Sequence, residues 1–146
     1  MEKPDQESFP ARQAWFTRRS VRTDEQPRVV VVDDNAAAAD AVCVALGLAG
    51  YQTCAAYSAA HAVAECERAN AHVVLLDINM PQVDGHQTAG MLRSRAATRE
   101  IIIVAYTALP LESVAARIMP GSFDGYCRKG AAIAELVTWL ASCFEV

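Results

Sequence analysis

The sequence predicts an open α/β domain: five parallel strands in a doubly wound sheet, with helices packed on both faces. Three observations carry this. Val29-Val30-Val31-Val32, Val73-Val74-Leu75-Leu76 and Ile101-Ile102-Ile103-Val104 are unbroken aliphatic runs of strand length, the pattern of strands buried on both sides. Each run is followed by residues with helical patterning, so strand and helix alternate along the chain. Short connections between such elements require a parallel sheet covered on both faces.

Taken in order, the first strand ends in two acids, Asp33 and Asp34, and Asn35 stands ready to cap the alanine-rich helix Ala36–Ala49, which Gly50 closes. Gln52 to Tyr57 is a weaker strand, and Ser58 can cap a helix to about Ala69. The second aliphatic run ends on Asp77, and a helix runs from about Gly85 to Arg95. The third run ends at Tyr106-Thr107. A short helix follows Pro110, a residue suited to a first helical turn, and stops before Pro120-Gly121. Phe123 to Arg128 forms a fifth strand and Ala131 to Phe144 a final amphipathic helix.

The chain divides near Pro27. Residues 1–27 hold three prolines and ten charged residues of balanced sign, with no strand pattern, and read as an extension, flexible or packed as an arm. Trp15 and Phe16 sit among arginines there, either packing on the domain or forming a docking segment for a partner. Residues 28–146 read as one domain.

Totals exclude several classes. The 13 basic and 17 acidic residues give a net charge of −4, so no nucleic-acid footprint is expected. No apolar window reaches membrane length, and the first 27 residues contain no signal-peptide core. Five scattered cysteines without metal-like spacing read as reduced, buried thiols. The expectation is a cytoplasmic protein.

Chemistry gathers at one edge. In an open parallel sheet, ligands bind outside the carboxyl ends of the strands, where strand order reverses. The first strand delivers Asp33 and Asp34 there, the third Asp77, the fourth Thr107, and Lys129 follows the fifth. Three carboxylates at one edge repel one another unless a cation intervenes. Magnesium suits them, since it takes one or two carboxylates and a carbonyl and keeps other positions for water or phosphate oxygens. An Asp77 oxygen could then attack phosphorus in line, with Lys129 neutralising equatorial oxygens and the Thr107 hydroxyl donating to the new phosphoryl group.

Val32-Asp33-Asp34-Asn35, Leu76-Asp77-Ile78-Asn79-Met80-Pro81, Asp84-Gly85, Thr107-Ala108 and Gly125-Tyr126-Cys127-Arg128-Lys129 together resemble the receiver domain of two-component response regulators. The intervals also match: 44 residues from Asp33 to Asp77, 30 on to Thr107 and 22 more to Lys129. The resemblance covers about residues 28–146. It implies a flavodoxin-like (βα)5 fold of strand order 2-1-3-4-5, with Asp77 as phosphoacceptor. Asp33, Asp34, Asp77 and the Asn79 backbone carbonyl become magnesium ligands. Thr107 becomes the switch hydroxyl, Tyr126 the switch aromatic, and Lys129 the phosphoryl-pairing cation. Pro81 and Gly85 match the loop that shapes the acceptor site.

It further implies a phosphodonor partner, a sensor histidine kinase or a histidine phosphotransfer protein, and a changed surface on the fourth helix, fifth strand and fifth helix after phosphorylation. With no segment after the last helix, a stand-alone regulator is expected, signalling through a protein target, onward phosphotransfer or a phosphorylation-dependent dimer.

Three departures stand out. Gly130 follows Lys129 where the family has proline, so a trans Lys129–Gly130 bond is expected. Tyr106 is bulkier than the family residue before the switch hydroxyl, and Leu109 is apolar where a polar residue is common. His61, His72 and His86 do not cluster and read as packed or solvated imidazoles. An aspartate-nucleophile phosphohydrolase is disfavoured, because such an enzyme needs an acid two residues after the nucleophile and Asn79 stands there. A receiver-shaped domain that is never phosphorylated is disfavoured because Asp33, Asp34, Asp77, Thr107 and Lys129 are all kept.

Overall fold

The computed structural model describes residues 12–17, 19–22, 25–130 and 132–145. Its strands, in chain order, are β1 (Gln13–Trp15), β2 (Val21–Arg22), β3 (Arg28–Val32), β4 (Gln52–Ala56), β5 (Val73–Leu76), β6 (Ile102–Thr107), β7 (Gly125–Arg128) and β8 (Phe144–Glu145). The helices are α1 (Ala36–Leu48), α2 (Ala59–Ala69), α3 (Gly85–Arg93), α4 (Leu111–Ala115) and α5 (Ile133–Ala141).

Because side chains alternate along a strand, each aliphatic run feeds two cores. Val30, Val32, Val74, Leu76, Ile103 and Ala105 face α2, α3 and α4 with Ala62, Leu92, Val114 and Tyr126. Val29, Val31, Val73, Leu75, Ile102 and Val104 face α1 and α5 with Ala39, Leu46, Leu136 and Leu140. Four parallel pairings assemble the strands in the order β4-β3-β5-β6-β7, which is the expected 2-1-3-4-5 counted from β3. Val32 lies beside Leu76 and Leu76 beside Ala105, so Asp33 and Asp77 emerge side by side at the carboxyl edge.

The helix ends follow local chemistry. Asn35 accepts a bond from the Ala38 N–H, and Ser58 from His61. Asp84 and Gln87 form a reciprocal capping box at the start of α3. Gly50 takes φ 102°, a left-handed turn after α1 that a residue with a Cβ would resist.

The chain exceeds the five-strand expectation at both ends. Residues 1–27 carry no strand pattern, yet β1 pairs antiparallel with β7, giving a six-stranded sheet, and β2 pairs with β8 in a separate ribbon. The reason is not local. β7 would otherwise be an open edge with unpaired backbone groups, and β1 satisfies them. Trp15 then stacks on Trp139 of α5 with centroids 4.2 Å apart, while Phe16 stays exposed. The expected final helix is also shortened: α5 stops at Ala141, and Phe144 leaves it to join β8 and pack its ring against Tyr51 and His72. Its expected start, Ala131, and the tail residues 1–11 lie outside the described residues. Among the described residues no peptide bond is cis, so the Lys129–Gly130 bond is trans, and Gly130 takes φ 93°.

Candidate functional site

Hydrogen bonding at the strand ends positions the acids. The Asp33 N–H donates to the Ala56 carbonyl at 3.0 Å and the Asp77 N–H to the Val32 carbonyl at 3.0 Å, each carrying the ladder one residue past its strand. Asp33 Oδ1 accepts the Asn35 N–H at 2.9 Å, and Asp77 Oδ1 accepts the Asn79 N–H at 3.3 Å. Both carboxylates are buried, at 4% and 6% exposure, while Asp34 is exposed.

Lys129 comes from the far side. Its N–H donates to the Thr107 carbonyl at 2.8 Å, extending the β6–β7 ladder. Its Nζ lies 2.5 Å from Asp33 Oδ2 and 3.5 Å from Asp77 Oδ2. The ammonium therefore pairs first with Asp33 and secondarily with the expected acceptor.

Burial pushes the Asp77 carboxyl up to about 6; Lys129 opposes the rise, and the Asp33 charge adds to it. Burial likewise pushes the Tyr106 phenol up to about 12, with Cys127 and Asp33 adding to the effect.

One oxygen from each of Asp33, Asp34 and Asp77 lies within 4.8 Å of the other two. Three carboxylates against one ammonium leave the cluster net negative, and every donor is a hard oxygen. This set fits magnesium and does not fit a soft metal. Among the described residues it is the one cluster of metal-ligating side chains. The histidines stay out of it. His61 accepts the Tyr57 N–H, His72 accepts the Arg28 N–H, and His86 meets the Phe123 ring edge-on.

Gly85 has a steric reason that sequence spacing only hinted at. A Cβ there would lie 2.4 Å from the Asp77 carbonyl oxygen and 2.6 Å from the Ile78 Cα. The start of α3 thus rests directly on the backbone of Asp77 and Ile78.

Thr107 and Tyr126, the expected switch residues, meet through Leu109. Its N–H donates to Thr107 Oγ1 at 3.2 Å, and its carbonyl accepts the Tyr126 hydroxyl at 2.6 Å. Tyr126 is fully buried. Two further features had no local signal in the sequence. Tyr57, Ser58, Met80 and Gln82, with Asp34 and Pro81, line a cleft of about 390 Å³ beside the acids. On α1, Ala37, Ala41, Val44 and Leu48 present an exposed apolar stripe leading away from the same edge. Val44 and Leu48 are 64% and 86% exposed.

The chain is thus a doubly wound α/β domain with buried acids, a hydroxyl and an ammonium gathered at the carboxyl edge of its sheet. Residues 29–141 match the family model of the response regulator receiver domain, and the chain belongs to that family of two-component signalling modules. It is 31% identical over 83 residues to the DNA-binding dual master transcriptional regulator RpaA of Synechocystis, over 57% of this chain and 34% of RpaA. It is 37% identical over 68 residues to the response regulator protein FleR of Pseudomonas aeruginosa, over 47% of this chain and 14% of FleR. The aligned region is thus a minor part of both relatives.

Among solved structures, the fold matches Vibrio cholerae chemotaxis protein CheY4 with a TM-score of 0.75 and 22% identity, covering 81% of this chain and 98% of that one. It matches Thermotoga maritima response regulator TrrA, solved with Mg2+ and BeF, with a TM-score of 0.71 and 24% identity, covering 81% and 99%. Among the described residues, no helix is long and apolar enough to cross a membrane.

Proposed function

We propose that this chain accepts a phosphoryl group on Asp77 from a histidine kinase or histidine phosphotransfer protein, and that the modified state signals by changed protein contacts or by onward phosphotransfer. The observation that carries the reading is the gathering of Asp33, Asp34 and Asp77 around one point with Lys129 bridging two of them. Asp77 is the acceptor in this reading because it is buried, flanked by the other two acids, and within reach of the ammonium. An Asp77 oxygen forms the new P–O bond while the P–N bond of the donor phosphohistidine breaks and its nitrogen keeps the electron pair.

Asp33, Asp34, Asp77 and the Asn79 carbonyl would hold magnesium. Bound there, the ion supplies positive charge that offsets the carboxylates and the phosphoryl oxygens. Lys129 would pair with the phosphoryl oxygens, and Thr107 would give up its bond from Leu109 to meet the modified aspartate. That exchange reaches Tyr126 through the Leu109 peptide, which is how the chemistry would alter the surface around α4, β7 and α5.

The apolar stripe on α1 begins beside the acids and follows the spacing of a helix-pairing seam, so it suits a helical phosphodonor. Five cysteines that form no disulfide with one another suit the reducing cytoplasm. The test is incubation with a small phosphodonor and magnesium, followed by mass spectrometry. Label is expected on Asp77 alone, and stable labelling of an Asp77→Asn variant would refute the assignment.

A further inference from the structure

Lys129 has an unusually long way to reach. The sheet order β7-β6-β5-β3 puts two strands between the end of β7 and Asp33, and neighbouring strands stand about 4.8 Å apart. Its side chain must therefore cross the ends of β6 and β5 to place Nζ between Asp33 and Asp77. The ion pairs hold its tip, but the four rotatable bonds behind it are steadied only by contacts along the path.

The loop does not supply that constraint. Past its bond to Thr107, the next residue is Gly130, with φ 93°, and a Cβ built there meets nothing within 4 Å. Gly130 carries no side chain that could brace the lysine from that side. Tyr106 does lie on the path. It occupies the end of β6, beside Cys127 in the register, and is buried to 8% exposure. Its ring centroid is 5.9 Å from Lys129 Nζ, within the range over which an aromatic face attracts an ammonium.

The geometry points to Tyr106 as a positioning residue, whose ring keeps the Lys129 ammonium aimed at the Asp33–Asp77 pair where a glycine follows the lysine. The inference rests on the proposed phosphoacceptor reading. It adds that the bulky residue before Thr107 and the open loop after Lys129 are two halves of one arrangement. The role belongs to the ring and not to the phenol, so phenylalanine is a sufficient replacement and an aliphatic residue is not.

The test is the rate of Asp77 labelling by a small phosphodonor with magnesium, in the full chain, for wild type, Tyr106→Phe and Tyr106→Leu. Each is also made in a Lys129→Ala background. Tyr106→Phe is expected to stay within twofold of wild type, and Tyr106→Leu to label about two- to fivefold more slowly. In the Lys129→Ala background the Leu substitution is expected to make no further difference, the signature of two residues acting as a unit.

Equal rates for Leu and wild type would overturn the inference, as would a Phe variant as slow as Leu. So would the same slowing by Leu with and without Lys129, since that pattern means packing alone. A second measurement is independent of turnover: the Lys129 ε-methylene proton shifts should carry the ring-current displacement in wild type and Phe and lose it in Leu. Unchanged shifts in Leu would also overturn it. If wild type takes no label on Asp77, the phosphoacceptor reading itself falls, whereas normal wild-type labelling with any of the failures above removes only the role of Tyr106.

Discussion

The Tyr126 hydroxyl donates a 2.6 Å hydrogen bond to the Leu109 carbonyl, tying the buried aromatic of β7 to the loop between β6 and α4. The same peptide segment reaches Thr107 through the Leu109 N–H. Tyr126→Phe removes one bond and leaves the ring in place. The expected cost is about 1 kcal/mol, read by urea denaturation, with faster hydrogen exchange at the Leu109 amide. Unchanged exchange there would show that the loop is held by other contacts.

Asp77 makes the metal-free protein pH-sensitive. Burial raises its folded pKa to about 6 from an ordinary 3.8. Between those values the folded state binds more protons than the unfolded one, so stability is full below about 4 and falls as pH rises through about 6. Asp77→Asn cannot suffer that loss. Without magnesium it should be more stable than wild type at pH 8, by at most about 3 kcal/mol, and the gap should close near pH 4. Magnesium held by Asp33, Asp34 and Asp77, as proposed, should narrow the gap at pH 8 by stabilising the native wild type. A gap of equal size at both pH values would sink the argument.

Gly85→Ala should damage both the fold and the proposed acceptor, Asp77. The added methyl would press on the Asp77 carbonyl and the Ile78 Cα, which are backbone atoms and cannot swing away. A cost of about 1–3 kcal/mol is expected, with slower labelling of Asp77 even in protein shown by circular dichroism to be folded. Gly90→Ala, whose Cβ meets nothing within 4 Å, is the matching control in α3.

The docking role proposed for the α1 stripe can be tested apart from the chemistry. Val44→Asp and Leu48→Asp alter side chains that are mostly exposed, so stability should move by no more than about 0.5 kcal/mol. Labelling by a small phosphodonor should be unchanged, while transfer from a phosphohistidine protein that labels wild type should slow tenfold or more. Equal slowing with both donors would place the defect in the site itself.

Where local pattern decided structure, the sequence was sufficient. The aliphatic runs at Val29, Val73 and Ile101 could only be strands buried on two sides, and their ends placed Asp33, Asp77 and Thr107 at one edge. Asn35, Ser58 and Gly50 marked helix ends through capping chemistry that acts within four residues. What escaped were features fixed by distant partners. Nothing near Gln13 signals a strand, because its partner Cys127 lies 114 residues away. Phe144 continues a helical pattern, and only the position of Tyr51 and His72 explains why it leaves the helix. The preference of Lys129 for Asp33 over Asp77 depends on strand order and side-chain reach, which motif spacing does not carry.

The arm supplies the last prediction. Asp124, just before β7, is buried and accepts bonds from Arg93 Nη2 at 2.7 Å, the Ile103 N–H at 2.9 Å and Arg19 Nη1 at 3.2 Å. Its own carbonyl accepts the Phe16 N–H at 2.7 Å. Arg19 thus clips the arm to a carboxylate that two domain groups already satisfy. Arg19→Ala should cost about 1 kcal/mol, because Asp124 keeps its other partners. Asp124→Ala should cost about 3 kcal/mol or more, since the largely buried Arg93 loses its carboxylate and keeps only the Gly121, Arg99 and Ile101 carbonyls, while the buried Ile103 N–H loses its acceptor. The two tryptophans of the chain stack on each other across the arm boundary, so fluorescence reports arm docking while far-ultraviolet circular dichroism reports the domain. In Arg19→Ala the fluorescence transition in urea should come first, followed by the dichroism transition. In Asp124→Ala both should shift together to much lower urea. Coincident transitions in Arg19→Ala at the wild-type midpoint would mean that Trp15, held by β1 pairing and by the close fit over Gly125, docks the arm without the clip.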